Sequence, residues 1–345
     1  MLVLQFAKRS VLTLAAAAVA LSGCGSESAP TVPFNPSGAT ADIEAVNSTF
    51  ASSAFSDFSA LSVLFDAALG GAPLVSASAA ALDLRGGGTA KGIQAAAARS
   101  AERIARIVPR PAGAGFSASS AAIPPEFLGK TFVYSGGSYV VSAQTGAPAN
   151  GVRFRLYAID PVTLLPVEPL NQTGYVDLID LSSGTTSSAR VIVVSGTTTY
   201  LDYRVSATST ATEGRVTVLG FITDGATDAT FNLRATLTAD AGLTLSYSLD
   251  VPQRDLSLDL TMSVDGTEIS TINVTLDMRG QNGWVRLTGQ FTADGGTLNI
   301  AINGTPFATI TSTAGAEPVI TGADGQPLAQ DELDALQRVF EFSGS

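Results

Sequence analysis

The chain has 345 residues, a formal net charge of −11 and a pI near 4.4. It holds no histidine and one cysteine, which removes imidazole metal ligands, histidine-based nucleophilic triads and any disulfide within the chain. With 19 Lys and Arg against 30 Asp and Glu it lacks the basic footprint that phosphate backbones require, so nucleic acid is excluded as a partner. Charged residues make up only 14%, against about 25% in ordinary soluble domains. Ser, Thr, Gly and Ala take their place, a mix that suits the wet face of a β-sheet. Carboxylate chemistry and oxygen-ligated calcium or magnesium are the only reactive options left, and no cofactor is implied.

The first nine residues end in Lys8-Arg9, and residues 11–21 contain nothing more polar than Thr13. A basic start, an apolar run too short to span a bilayer and small residues before a cut are what an export signal needs. The run closes on Leu21-Ser22-Gly23-Cys24, which resembles the lipobox of bacterial lipoproteins. The resemblance implies cleavage between Gly23 and Cys24 by signal peptidase II and a diacylglycerol on the Cys24 thiol. Gly25, not Asp, follows the cysteine, which by the same resemblance implies delivery to the outer membrane of a cell with two membranes. Residues 1–23 are thus read as signal peptide; their loss, with Lys8 and Arg9, takes the charge from −11 to −13. Residues 24–41 carry three prolines among small polar residues and read as the lipidated cysteine and a flexible tether. Such a coil has an r.m.s. span of roughly 20–25 Å.

The next segment, 42–125, reads as helical and rich in Ala, Ser and Gly. Ile43, Val46, Phe50, Ala54, Phe58, Leu61, Phe65 and Ala68 keep three- and four-residue spacings, and Gly70-Gly71 ends the run. The spacing fits one long amphipathic helix or two with a break near Ser52-Ser53. A further helix is expected from about 92 to 108, where Arg99, Arg103, Arg106 and Arg110 share one face. That face is either solvated or laid on anionic headgroups.

From 126 to 315 the period switches to two. Ala229, Phe231, Leu233, Ala235 and Leu237 alternate with Thr230, Asn232, Arg234 and Thr236, and the segments from Leu243, Leu256, Ile272, Val285 and Leu298 repeat the pattern. One buried and one wet face is the antiparallel habit. Gly136-Gly137, Asp224-Gly225, Asp265-Gly266, Asn282-Gly283 and Asp294-Gly295 are tight hairpin signals. The fold class read from this is mainly β: a large antiparallel meander of about 12–14 strands, with helices packed on it. Residues 316–345 add a turn and a C-terminal helix from about Gln330.

The apolar sheet face has three ways to be covered: by the helices as a curved sheet or half-barrel, by closure as a sandwich or barrel, or by lipid as a transmembrane barrel. The first resembles, in architecture alone, the half-barrel of bacterial lipoprotein carriers, which implies an acyl-chain site; no motif carries it further. No catalytic and no metal-binding residues are assigned. Weak binding candidates are Trp284, the only tryptophan, with Arg279 stacked over it, and Leu164 and Leu165 in the proline-rich connection 160–170. Trp284 either stacks on a sugar ring or covers its own hairpin, and the connection is either a binding loop or a lid. The Asp clusters at 224–228 and 250–259 suit calcium or a glycosidase pair, but equally turns. The expected function is a non-catalytic, membrane-anchored envelope component. The alternatives are a lipoprotein binding a hydrophobic ligand and a protein that binds or cleaves envelope glycan; protein partners stay unassigned.

Overall fold

The computed structural model describes residues 35–69, 108, 121–160, 162–240, 242–265, 271–314 and 316–330. The signal segment, Cys24 and, apart from Val108 and Gln330, the arginine-bearing and C-terminal helices expected from the sequence lie outside the described residues. Two helices come first, α1 (Pro36–Phe50) and α2 (Ser53–Ala68). The first starts six positions earlier than the apolar spacing predicts. Asn35 accepts a hydrogen bond from the Gly38 amide at 3.1 Å, and Pro36 fills a position where no N–H is needed. Ala51 and Ser52 leave helical geometry, with ψ of 5° and 144°, so the run is two helices and not one. Just before the break Ser48 and Thr49 turn their hydroxyls back onto the Ala45 carbonyl, a bonding habit that bends helices.

Fifteen strands then form one sheet: β1 (Lys130–Ser135), β2 (Ser138–Ser142), β3 (Gly151–Tyr157), β4 (Gln172–Asp180), β5 (Thr186–Ser195), β6 (Thr198–Ser209), β7 (Glu213–Thr223), β8 (Asp228–Thr238), β9 (Leu243–Val251), β10 (Leu256–Asp265), β11 (Thr271–Gly280), β12 (Gly283–Thr292), β13 (Gly295–Ile302), β14 (Thr305–Thr313) and β15 (Val319–Gly322). Their order is β15 down to β3 in unbroken sequence, then β1 and β2. Every neighbouring pair is antiparallel except β1 with β3. The count exceeds 12–14 because β2 and β15, of five and four residues, are too short to show alternation. The sheet ends in two edges, β2 and β15, so neither a closed barrel nor a transmembrane one is formed.

The alternation legible in the sequence becomes burial. In β8, Ala229, Phe231, Leu233 and Ala235 are buried while Thr230, Asn232 and Arg234 face water. The Gly136-Gly137 turn takes φ of 60° and 88°, the left-handed pair that fits the twist of a two-residue hairpin. The helices pack on the N-terminal half of the apolar face, α2 over β2 to β6 and α1 over β7 and β8. Phe65 stacks on Phe154 at 4.5 Å and meets Tyr139 edge-on at 5.0 Å. Phe58 meets Tyr203 at 6.3 Å, and Tyr203 meets Phe231 across β7 at 6.4 Å. That last contact needs Gly220, which lies between them in the register and whose missing Cβ leaves room for Tyr203. One connected apolar core runs from α1 to β14.

Candidate functional site

The strand registers place particular connections side by side. Tyr157 pairs with Gln172, Ser195 with Thr198, Thr223 with Asp228, Val251 with Leu256 and Gly280 with Gly283. The β3–β4 connection and the turns after β5, β7, β9 and β11 therefore share one rim of the sheet. The turn after β6 lies on the opposite rim.

The N-terminal end of α1 is bonded to this rim. The Asn35 amide donates to the Asn282 carbonyl at 2.8 Å, and the two side-chain amides meet at 3.3 Å. Two turns later the buried Asp42 carboxylate accepts from Asn282 Nδ2 at 2.6 Å and from Arg254 Nη1 at 3.2 Å. Asn282 belongs to the β11–β12 turn and Arg254 to the β9–β10 turn, so one carboxylate joins two hairpins. At the other end of α1, the Thr49 hydroxyl donates to the Ala45 carbonyl at 3.0 Å and lies beside Asp224 of the β7–β8 turn. Burial pushes the Asp224 carboxyl up, but the Thr227 and Ala226 amides, with its own amide and Thr49, outweigh this and hold it below the usual range. On α2, buried Asp57 accepts from the Thr173 hydroxyl at 3.3 Å; burial dominates here and holds its carboxyl above the usual range.

The β3–β4 connection is the longest on this rim and is internally bonded. Asp160 Oδ1 accepts from the amides of Val162 and Thr163 at 2.8 and 2.9 Å, which lowers its carboxyl from the usual range. Asp160 N donates to Leu165 O, Leu164 N to Asp160 O, and Val167 N to Ala158 O. Leu164 sits at φ 56°, in the left-handed region that a branched side chain seldom adopts. The backbone is held while the side chains are not covered: Val162 is 89% exposed, Leu164 51% and Leu165 44%. Leu164 and Leu165 therefore form no lid over the sheet edge.

Trp284 and Arg279 lie elsewhere, on the polar face of β11 and β12. The guanidinium of Arg279 stands 4.6 Å from the ring centroid and that of Arg286 5.7 Å, while the indole N–H donates to Asp277 at 2.8 Å. The ring is only 9% exposed, so it covers its own hairpin and presents no open face to a sugar. The rest of the polar face is cross-strand pairing, as in Arg153 with Asp177 and Arg190 with Asp202. A groove of about 370 Å³ runs beside β14, lined by Arg286, Thr288, Asn299 and Thr309 among others. Asp224 and Asp228 serve their turns, the latter accepting from Gln253 at 2.9 Å. Among the described residues no three Asp, Glu or Cys side chains gather in a way that would hold a metal, and no helix is long and apolar enough to cross a membrane.

Sequence reading singled out Leu164 and Leu165 but missed the pin formed by Asp42, Arg254 and Asn282. Asp42 lies more than 200 positions from both partners, and no periodic signal links them. Asp160 was visible only as an Asp before a proline, a turn signal without an address. Compared with protein-family models, curated proteins and solved structures, the chain matches none.

Proposed function

We propose that the protein is a non-catalytic component of the bacterial cell envelope, anchored to the outer membrane by a diacylglycerol on Cys24. The observation that carries this is Leu21-Ser22-Gly23-Cys24 behind a basic start and an eleven-residue apolar run. Its support on the domain side is the use made of charge. Asp160 and Asp224 hold turns, Asp42 holds hairpins to a helix, and Asp177 and Asp202 pair with arginines across strands. These are the bonds of a framework, in which ionised groups serve geometry. Asn35 lies eleven positions after Cys24, an r.m.s. coil of roughly 17–20 Å, so the anchor would hold the α1 end of the rim close to the headgroups.

Metabolic labelling with an alkyne-bearing palmitate, in cells producing the full chain, tests the anchor. The wild-type chain takes the label and fractionates with outer membrane; Cys24→Ser takes none and accumulates uncleaved. Label persisting in Cys24→Ser refutes the anchor. Hydrolysis of purified envelope glycan by the wild-type protein refutes the non-catalytic half.

A further inference from the structure

Among the described residues ten large apolar side chains are exposed, and five of them, Val162, Leu164, Leu165, Val167 and Leu170, fall within nine consecutive positions of one loop. Single exposed apolar residues are ordinary, but half of the total gathered on one loop is a patch of the kind that marks a binding surface. The loop is also rigid where it would need to be. Asp160 caps the turn through two amide bonds, and four further backbone bonds close the loop on itself. The backbone that displays the apolar side chains is therefore already held before any binding.

What they meet is set by where the chain enters the fold. Asn35 is bonded to the β11–β12 turn, and that turn shares its rim with the β3–β4 loop. Eight strand spacings separate the two points, about 38 Å along the sheet. A fully extended tether from Cys24 to Asn35 spans at most roughly 36–40 Å, and its coil half that. A lipid on Cys24 thus tethers the domain from the rim that also carries the β3–β4 loop. We infer that the β3–β4 loop is a second membrane contact, inserting Val162, Leu164 and Leu165 into the interface of a zwitterionic bilayer; this rests on the anchored reading above. Zwitterionic lipid is the occupant because the loop offers no cation, carries Asp160 and Glu168, and belongs to an acidic chain that anionic headgroups repel.

The test uses the protein extracted from its host's membrane and reconstituted into phosphatidylcholine–phosphatidylethanolamine vesicles. A lipidated Cys24 leaves no free thiol, so Val162→Cys takes one environment-sensitive dye, and Ala211→Cys places the same dye on the opposite rim. The intact mass of each preparation reports the Cys24 lipid independently. The expected result is a blue-shifted dye at 162 that nitroxide-bearing lipid quenches and salt does not alter, with the dye at 211 unaffected. Adding Leu164→Ser and Leu165→Ser to Val162→Cys lowers the inserted-to-free ratio about tenfold. A dye at 162 that behaves like the one at 211, despite a lipidated mass, overturns the inference and leaves the anchor standing. An unlipidated mass overturns the anchor. A response only with phosphatidylglycerol, or one without lipid that grows with protein concentration, assigns the loop to charge or to a second copy and overturns the inference.

Discussion

Replacing Phe65 by alanine tests whether α2 is clamped to the sheet or merely lies on it. The ring is fully buried, stacked on Phe154 at 4.5 Å with a 29° tilt and set edge-on to Tyr139 at 5.0 Å. Truncating a buried phenylalanine costs about 3–5 kcal/mol, and two ring pairs within the favourable 4.5–7 Å range place this site in the upper half. The expected loss is about 4–5 kcal/mol, a fall in Tm of roughly 8–20 °C, nearer the lower end for a chain of this length. Urea unfolding followed by far-ultraviolet circular dichroism and by the emission of Trp284 measures it with two probes, one global and one distant from α2. The control is Val63→Ala on the same helix, where a 62% exposed side chain should change stability by less than about 0.5 kcal/mol. Phe65→Leu should keep the packing volume and lose mainly the ring pairs, about 0.5–1.5 kcal/mol each. A Phe65→Ala loss below about 1 kcal/mol, indistinguishable from Val63→Ala, would refute the clamp and the packing of α2 over β2 to β6.

Asp42→Ala and Arg254→Ala, taken singly and together, should show a coupling of about 1 kcal/mol in urea unfolding, reduced from a buried pair because Arg254 is 35% exposed; a coupling within error of zero removes the pin. Asp57 binds its proton more tightly folded than unfolded, so its contribution falls as pH rises from below the ordinary carboxylate value through the folded one. Asp57→Asn should accordingly raise Tm at pH 7 and leave it unchanged or lower at pH 3, and an equal effect at both pH values contradicts the burial effect. Gly220→Ala forces a methyl into the Cα and Cβ of Tyr203 and should cost about 1–3 kcal/mol net, whereas a gain would mean the Tyr203–Phe231 contact is not held across β7. Trp284 emission should be insensitive to added envelope oligosaccharide and weakly quenched by iodide; a saturable spectral shift with the oligosaccharide would show the ring open after all.

The sheet was legible because its code is local. A residue in β8 declares its face through its neighbours two positions away, and a turn such as Gly136-Gly137 declares itself by the φ only glycine takes freely. What the code leaves out is anything decided by partners far along the chain. The spacing allowed a break near Ser52-Ser53 but did not choose it over one long helix; the structure has the break at Ala51-Ser52, just after hydroxyls turn back on Ala45 and where α2 packs under Tyr203. Trp284 lies on the polar face, and nothing in the sequence tells that two guanidiniums and a carboxylate close over it, since their spacing of five, two and seven residues follows from the β11–β12 register. The same holds for the rim. The sequence shows an apolar loop and a tether 130 positions apart, and only the pairing of Tyr157 with Gln172 and Gly280 with Gly283 puts them on one side of the molecule.

Placement on one rim changes what a weak contact can do. A loop offering five partly exposed aliphatic side chains has too little apolar area to hold a free protein on a bilayer. With the proposed diacylglycerol in place, the loop would be supplied at the high effective concentration set by the eleven positions from Cys24 to Asn35, and under those conditions a modest affinity would orient the domain. The Asp42 bonds to Asn282 and Arg254 matter to this arrangement mechanically. Were α1 free to swing from the rim, the tether would lengthen by the helix, about 22 Å for fifteen residues, and the link between anchor and loop would slacken. A buried carboxylate in the second turn of α1 is costly to keep; its place at the junction of two hairpins and the helix is where a fixed angle has the most effect.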